Sequence, residues 1–346
     1  MFKYLRLLLL PLSLLYALHI CIKNKLYDLG YLKSIQVSKP VISIGNISTG
    51  GTGKTPFVIY LAEYFLKKQK SVAIVSRGYK RDSKDLLLVY DGNKTLCSVK
   101  ECGDELYMTT EKIKLDYKNF FVAACNDRVK AAEMLIKNYS PDVVLLDDSF
   151  QHRRISRNLD IVLIDAQDFH KNKIVNSVLL PCGNLRESFG ALKRCDVVIQ
   201  NNKTSSHLIL AKIKKFKKEI IAMNYKGDAL VNYSGELLKT KKKDAVVFSG
   251  IANTESFYDL LSNLNINIKE KIKFIDHQKY TNKDINFILS KFKSDYILIT
   301  TEKDFVKIKE FEEFINNYPV YFLKLSIILL ENSDILEKRL DQIINA

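Results

Sequence analysis

The chain has 346 residues, enough for two domains at roughly 150 residues each. Apolar residues make up 47%, which excludes a disordered chain, and no collagen, coiled-coil or fixed-period repeat pattern is present. Lys and Arg number 54 against 39 Asp and Glu, a formal balance of +15 that suits nucleotides, phosphorylated substrates or acidic lipid. No recognisable nucleic-acid module accompanies that charge, so nucleic acid is not expected as a partner.

The run Leu7 to Ile22 is nearly all apolar, with Lys3 and Arg6 before it and Lys23 and Lys25 after it. Its length at about 1.5 Å per residue falls short of a hydrocarbon core of roughly 30 Å. Tyr16-Ala17-Leu18-His19 is a poor cleavage site for a secretory signal. Residues 1–28 therefore read as a helix associated with a membrane surface, lying in one leaflet. A helix buried against the main domain is the other reading.

Val41 to Gly45 is a β-branched strand, Ser48 to Gly53 a Gly-rich turn, and Thr55 to Lys68 a helix with Phe57, Leu61, Tyr64 and Phe65 on one face. Further buried strands are expected at Val72–Val75, Phe120–Ala124, Val143–Leu146, Ile161–Ile164 and Val197–Ile199. Apolar strands alternating with helices argue an α/β fold with a mostly parallel sheet of the P-loop type, flanked by helices. The polar stretch 226–243 reads as a linker. A second, smaller α/β unit follows, with a strand at Ala245–Phe248, a helix at Ser256–Leu264 and a strand at Ile297–Thr300. The expected division is 1–28 helix, 29–225 nucleotide-binding core, 226–243 linker, 244–318 smaller domain, and 319–346 return strand and C-terminal helix. The six cysteines, Cys21, Cys97, Cys102, Cys125, Cys182 and Cys195, form no C-x-x-C pair or zinc spacing, which fits a reducing, cytosolic setting.

The chemistry concentrates in Gly50-Gly51-Thr52-Gly53-Lys54-Thr55-Pro56. A strand, a Gly-rich turn and a helix let backbone N–H groups and the positive helix end face phosphates. Lys54 would reach the β/γ-phosphates of ATP, the Thr55 hydroxyl would hold Mg²⁺, and Pro56 falls early in the helix, where its missing N–H costs nothing. Ser48 stands where the strict motif has its first Gly, so the loop is a variant. Asp147 and Asp148 end the apolar run Val143–Leu146, where a carboxylate for the magnesium shell belongs. Alternation along the strand should aim the two acids differently. Asp165 after Ile161–Ile164 is the competing candidate. Arg77 and Arg128 follow strand-like runs, where a guanidinium could clamp phosphate.

These segments stand in order with Ser76-Arg77-Gly78-Tyr79, Gly103-Asp104-Glu105, Asp147-Asp148-Ser149-Phe150-Gln151-His152-Arg153-Arg154, Leu179-Leu180-Pro181-Cys182-Gly183-Asn184-Leu185-Arg186-Glu187, Gly250-Ile251-Ala252-Asn253, Asp276-His277 and Thr300-Thr301-Glu302-Lys303-Asp304. The ordered set resembles the tetraacyldisaccharide 4′-kinases of lipid A synthesis. Ser149, Ala252 and Gln278 depart from that family's usual Gly, Gly and His.

The resemblance implies that ATP, with Mg²⁺, phosphorylates the 4′-hydroxyl of a tetraacylated, lipid-linked glucosamine disaccharide 1-phosphate to give lipid IVA. It implies a peripheral or helix-anchored protein at the cytoplasmic face of an inner membrane. It also implies two α/β domains joined by a β-ribbon, with the site in the cleft. Asp104 would be the catalytic base, with His277, Lys54 and Arg128 as further catalytic groups and Glu187 as an addition to the metal site. Asp276 could fix the His277 tautomer. The competing function is a P-loop NTPase switch or chaperone that hydrolyses nucleotide to gate a protein partner, a class that needs neither Gly103-Asp104-Glu105 nor a second α/β unit.

Overall fold

A computed structural model describes residues 6–78, 81, 85–171, 175–204, 211–238, 242–251, 253–276, 278–330 and 332–345. Its strands are β1 (Val41–Asn46), β2 (Val72–Ser76), β3 (Leu87–Tyr90), β4 (Phe120–Ala124), β5 (Val143–Asp147), β6 (Leu159–Asp165), β7 (Val197–Lys203), β8 (Glu219–Val231), β9 (Lys243–Ser249), β10 (Ile266–Lys273), β11 (Ile297–Thr301) and β12 (Val320–Leu329). Among the described residues they form one sheet, in the order β10-β9-β11-β12-β8-β7-β6-β1-β5-β2-β4-β3. All neighbours run parallel except β3 with β4 and β8 with β12.

The strands of the larger lobe are β-branched and apolar because both faces are covered, and β1, β2 and β5 are buried along their whole lengths. Alternate residues feed opposite cores. Ile42, Ile44, Ile74 and Leu145 meet Phe57, Leu61 and Phe65 of the helix Lys54–Lys67. Ala73, Val75 and Val144 meet Val129, Ala132 and Leu135 of the helix Arg128–Tyr139. Each such Phe, Leu or Ile contributes about 1.5–3 kcal/mol of burial. This packing fixes where the loop after β1 ends and its helix begins.

The smaller lobe repeats the plan. Ala245 and Val247 pack with Phe257 and Leu261 on one face, and Val246 and Phe248 with Phe305 and Phe314 on the other. The antiparallel pair β8 and β12 carries the sheet from one lobe to the other. Residues 226–231, read from sequence as the start of a linker, instead lie within β8. Their polar character reflects exposure of the strand's middle, around Lys226 and Asp228, rather than loss of strand structure. The last helix, Ser333–Asn345, returns to the larger lobe, burying Leu336 and Leu340 in the core that holds Phe57 and Phe65.

The N-terminal helix, Leu10–Asp28 after a 3-10 turn at Arg6–Leu9, has an inverted polarity. Leu8, Leu14, Leu15 and Leu18 are 77%, 65%, 64% and 57% exposed, whereas Ser13 is only 4% exposed. Polar side chains make the contacts with the domain. The Ser13 hydroxyl donates to the Leu179 carbonyl at 3.1 Å and accepts from the Cys182 amide at 2.9 Å. The Tyr16 hydroxyl donates to the Arg186 carbonyl at 3.0 Å, and Asn24 Nδ2 to the Glu187 carboxylate at 2.8 Å. No helix among the described residues is long and apolar enough to cross a membrane.

Candidate active site

The loop after β1 is fixed by hydrogen bonds within itself and to β7. Asn46 Nδ2 donates to Thr52 Oγ1 at 3.0 Å, the Thr52 amide donates to the Gly50 carbonyl at 3.0 Å, and Asn201 Nδ2 from β7 donates to the Thr52 carbonyl at 3.0 Å. Gly53 sits at φ +94°, and a Cβ there would lie 2.5 Å from both Asn201 Nδ2 and the Tyr225 hydroxyl oxygen. Only glycine meets both demands. On the other flank the Thr49 amide donates to the Asn184 carbonyl at 2.8 Å, and the Arg186 amide donates to the Ile47 carbonyl at 2.8 Å. The N-terminal helix therefore rests on the same 179–187 segment that braces the loop.

Parallel pairing sets Ile44 of β1 beside Asp147 of β5, so the two acids emerge next to the loop. They diverge, as alternation requires. Asp147 turns to Ser76 at the end of β2, whose hydroxyl donates to Oδ2 at 3.1 Å, and its Oδ1 is buried without a hydrogen-bond partner. Burial, then the charge of Asp148, raises the Asp147 carboxyl to about 6. Asp148, at φ +48°, faces the loop. Its carboxylate takes two hydrogen bonds from Arg186 Nη1, at 2.9 and 3.0 Å, and stands 3.4 Å from Lys54 Nζ. Burial alone would raise Asp148, but the Lys54 and Arg186 charges outweigh it and hold the group at about 2.

The helix Asp104–Ile113 brings a second acidic pair. Gly103 precedes it at φ +90°. Asp104 is buried, and its Oδ1 accepts from the Glu105 amide at 2.9 Å. Thr55 Oγ1 lies 3.4 Å from Glu105 Oε2, so this pair adjoins the phosphate loop. From the smaller lobe, Lys303 Nζ reaches Glu105 Oε1 at 3.3 Å and Asp276 Oδ1 at 3.4 Å, and Lys307 Nζ reaches Asp104 Oδ2 at 3.5 Å.

The structure thus brings together Gly50, Gly51, Thr52, Gly53, Lys54, Thr55, Asp147 and Asp148, with Asp104 nearby through Glu105. Pro56 is the third residue of its helix. One expectation is corrected. Glu187 does not face this site: Arg194 Nη2 donates to its Oε1 at 3.0 Å and Asn24 Nδ2 to its Oε2 at 2.8 Å. The chain bends here, with both amides donating to the Ile47 carbonyl, and the two side chains part: Arg186 turns to Asp148 and Glu187 to the N-terminal helix. The Arg128 guanidinium is engaged by the carbonyls of Cys125, Asn126 and Asp148, at 3.2, 3.0 and 3.5 Å, and ties the ends of β4 and β5 together beside the two acids. Arg77, by contrast, is exposed. Asp165, the competing strand-end acid, pairs with Lys203. His277 lies outside the described residues. Sequence reasoning missed Ser76, Asn201, Tyr225 and Lys307 as parts of the site, because each acts through a contact far along the chain.

Among the described residues no three His, Cys, Asp or Glu side chains stand close enough to hold a metal ion by themselves. A phosphate-bound ion needs fewer protein ligands, since it keeps waters and takes phosphate oxygens. The orphaned Asp147 Oδ1, the Asp148 carboxylate and the Thr55 hydroxyl fit that lighter demand.

Comparison with known proteins gives a family model, Tetraacyldisaccharide-1-P 4′-kinase, that matches residues 5–345. The chain is 33% identical over 357 residues to a tetraacyldisaccharide 4′-kinase of Chlorobium chlorochromatii, covering 99% of this chain and 94% of that protein. It is 36% identical over 311 residues to a tetraacyldisaccharide 4′-kinase of Aquifex aeolicus, covering 88% and 90%. The crystal structure of LpxK from Aquifex aeolicus in complex with ATP superimposes with a TM-score of 0.78 at 35% identity, covering 98% of this chain and 99% of that one.

Proposed function

Because the chain belongs to the tetraacyldisaccharide-1-P 4′-kinase family, we propose that it transfers the γ-phosphoryl group of ATP to the 4′-hydroxyl of a tetraacylated glucosamine disaccharide 1-phosphate. The observation that carries this reading is the contact between Thr55 and Glu105. It sets the phosphate loop against an acidic pair, which a nucleotide switch does not need and a hydroxyl acceptor does.

Phosphoryl transfer is largely positioning and charge stabilisation. The amides of Gly51, Gly53 and Lys54 cradle the phosphates at the helix N-terminus, the Thr52 amide being bonded to the Gly50 carbonyl. Lys54 exchanges its Asp148 partner for a phosphate oxygen, while Arg186 continues to neutralise Asp148. Thr55, Asp147 and Asp148 would hold Mg²⁺, which when bound neutralises charge on the transferred group. Asp104 accepts the proton of the attacking hydroxyl as general base. The exposed Arg77 offers phosphate a guanidinium at the end of β2.

The acceptor is a lipid, and the outward leucines of the N-terminal helix support a place on the membrane surface. Burial of that apolar face in the interface supplies the affinity, and flanking basic residues favour anionic lipid. The cytoplasmic face is the side where ATP is available. Purified protein in detergent micelles with magnesium, ATP and the disaccharide 1-phosphate should yield the 1,4′-bisphosphate. Nucleotide hydrolysis with no phosphorylated lipid would defeat this reading in favour of a switch.

A further inference from the structure

The mechanism leaves one buried charge chain unused. Asp304, fully buried in the smaller lobe, accepts through Oδ2 from the Gly250 amide at 2.9 Å and from the Thr301 hydroxyl at 2.8 Å. Its Oδ1 lies 3.3 Å from Lys307 Nζ, and the same ammonium lies 3.5 Å from Asp104 Oδ2. Lys307 and Asp104 are both only 10% exposed at the side chain. A Cβ on Gly250 would stand 2.9 Å from the Ile275 carbonyl oxygen and 3.2 Å from Asp304 Oδ1, so glycine is what lets the backbone approach Asp304.

We propose that Lys307 is a positioning residue for the transfer reaction, held by Asp304 and orienting the Asp104 carboxylate from across the lobes. The proposal rests on the kinase reading and on Asp104 as its base. A carboxylate on a helix N-terminus can rotate about its last torsion. Here one oxygen is fixed by the Glu105 amide and the other faces a lysine that is itself fixed. Breaking a buried ion pair on one side leaves the other charge uncompensated, so loss of Lys307 disturbs the base more than a surface pair would. The chain also gives a physical reason for Gly250 and the run Thr301 to Asp304: they seat the lysine.

Neighbouring Lys303 reaches Glu105 and Asp276 and adds its charge beside Asp104 as well, so both lysines of this helix face the acidic pair. The geometry makes the smaller lobe part of the catalytic apparatus. Its helix Glu302–Ile308 carries the lysine that reaches the base.

A double-mutant cycle tests this, with Lys307→Met, Asp104→Asn and the double variant assayed with magnesium, ATP and the disaccharide 1-phosphate. Lys307→Met should lower kcat by roughly 10- to 100-fold, a fraction of what a general base supplies, with the KM for ATP within about twofold. Lys307→Arg should recover most of the loss. Because Lys307 acts through Asp104, the double variant should be no slower than Asp104→Asn alone. Should Lys307→Met fail to fold, as judged by thermal melting, Lys307→Gln takes its place in the cycle. An unchanged kcat in the lysine variant, or losses that multiply in the double variant, would overturn the proposal while the wild type still transfers phosphate. A wild type without transfer would remove the kinase reading itself.

Discussion

Lys54 Nζ rests 3.4 Å from Asp148 Oδ1, and Arg186 holds the same carboxylate at 2.9 Å. The lysine that meets phosphate is thus already partnered before nucleotide arrives, by an acid with a second cation of its own. Phosphate can take Lys54 without leaving Asp148 uncompensated. That arrangement lowers the cost of exchange, since an unpaired buried charge is what makes broken ion pairs expensive.

Lys54→Met should therefore weaken ATP use with little effect on the fold. Loss of a charge-assisted bond of about 1.5–3 kcal/mol corresponds to roughly 10- to 150-fold in kcat/KM for ATP. Thermal melting should stay close to wild type, because Arg186 still satisfies Asp148. A large fall in Tm with unchanged ATP kinetics would contradict this division of labour.

The outward leucines give a second expectation. Replacing Leu12, Leu15 and Leu18 together by Gln should weaken binding to phosphatidylglycerol vesicles by roughly tenfold or more per leucine, from the apolar burial each side chain loses. Folding stability should hold, since these side chains are 53%, 64% and 57% exposed. Ser13→Leu should act in the opposite way, leaving the Cys182 amide without its acceptor and lowering Tm. Vesicle flotation beside thermal melting distinguishes the two, and equal flotation of the triple variant and wild type counts against the interfacial helix.

His152 supplies a pH signature. Burial, then the Arg128 charge, lowers its imidazole to about 4, and its Nε2 is buried without a partner. A histidine depressed in this way binds fewer protons folded than unfolded, so it contributes stability above the ordinary value near 6.5, lost as pH falls toward 4. Acidification through that window should cost the wild type about 1 kcal/mol from this group once solvent screening is allowed for. Urea unfolding of His152→Gln at several pH values should show a correspondingly shallower decline; an identical slope would remove His152 from the acid response.

The phosphate loop was legible from sequence because everything it needs is contiguous. A β-branched run, a Gly-rich turn and the start of an amphipathic helix each carry a local signal, and the glycine at Gly53 is demanded by its own backbone angle. The strand-end acids were legible for the same reason, down to their divergence. Glu187 was misread because two adjacent polar residues in a bending loop do not reveal which one faces inward; the partners Arg194 and Asn24 decide it.

By itself, the order of apolar and polar residues determined that the chain makes an α/β nucleotide fold with Lys54 and Thr55 at a helix start, since strand, turn and helix follow from local spacing. Only the tertiary structure decided what surrounds them. Ser76 meets Asp147 across 71 positions of chain, and the smaller lobe delivers Lys307 to Asp104. Such pairings come from sheet order and lobe packing, in which side chains distant in sequence are driven together by burial rather than by any signal in their own neighbourhood.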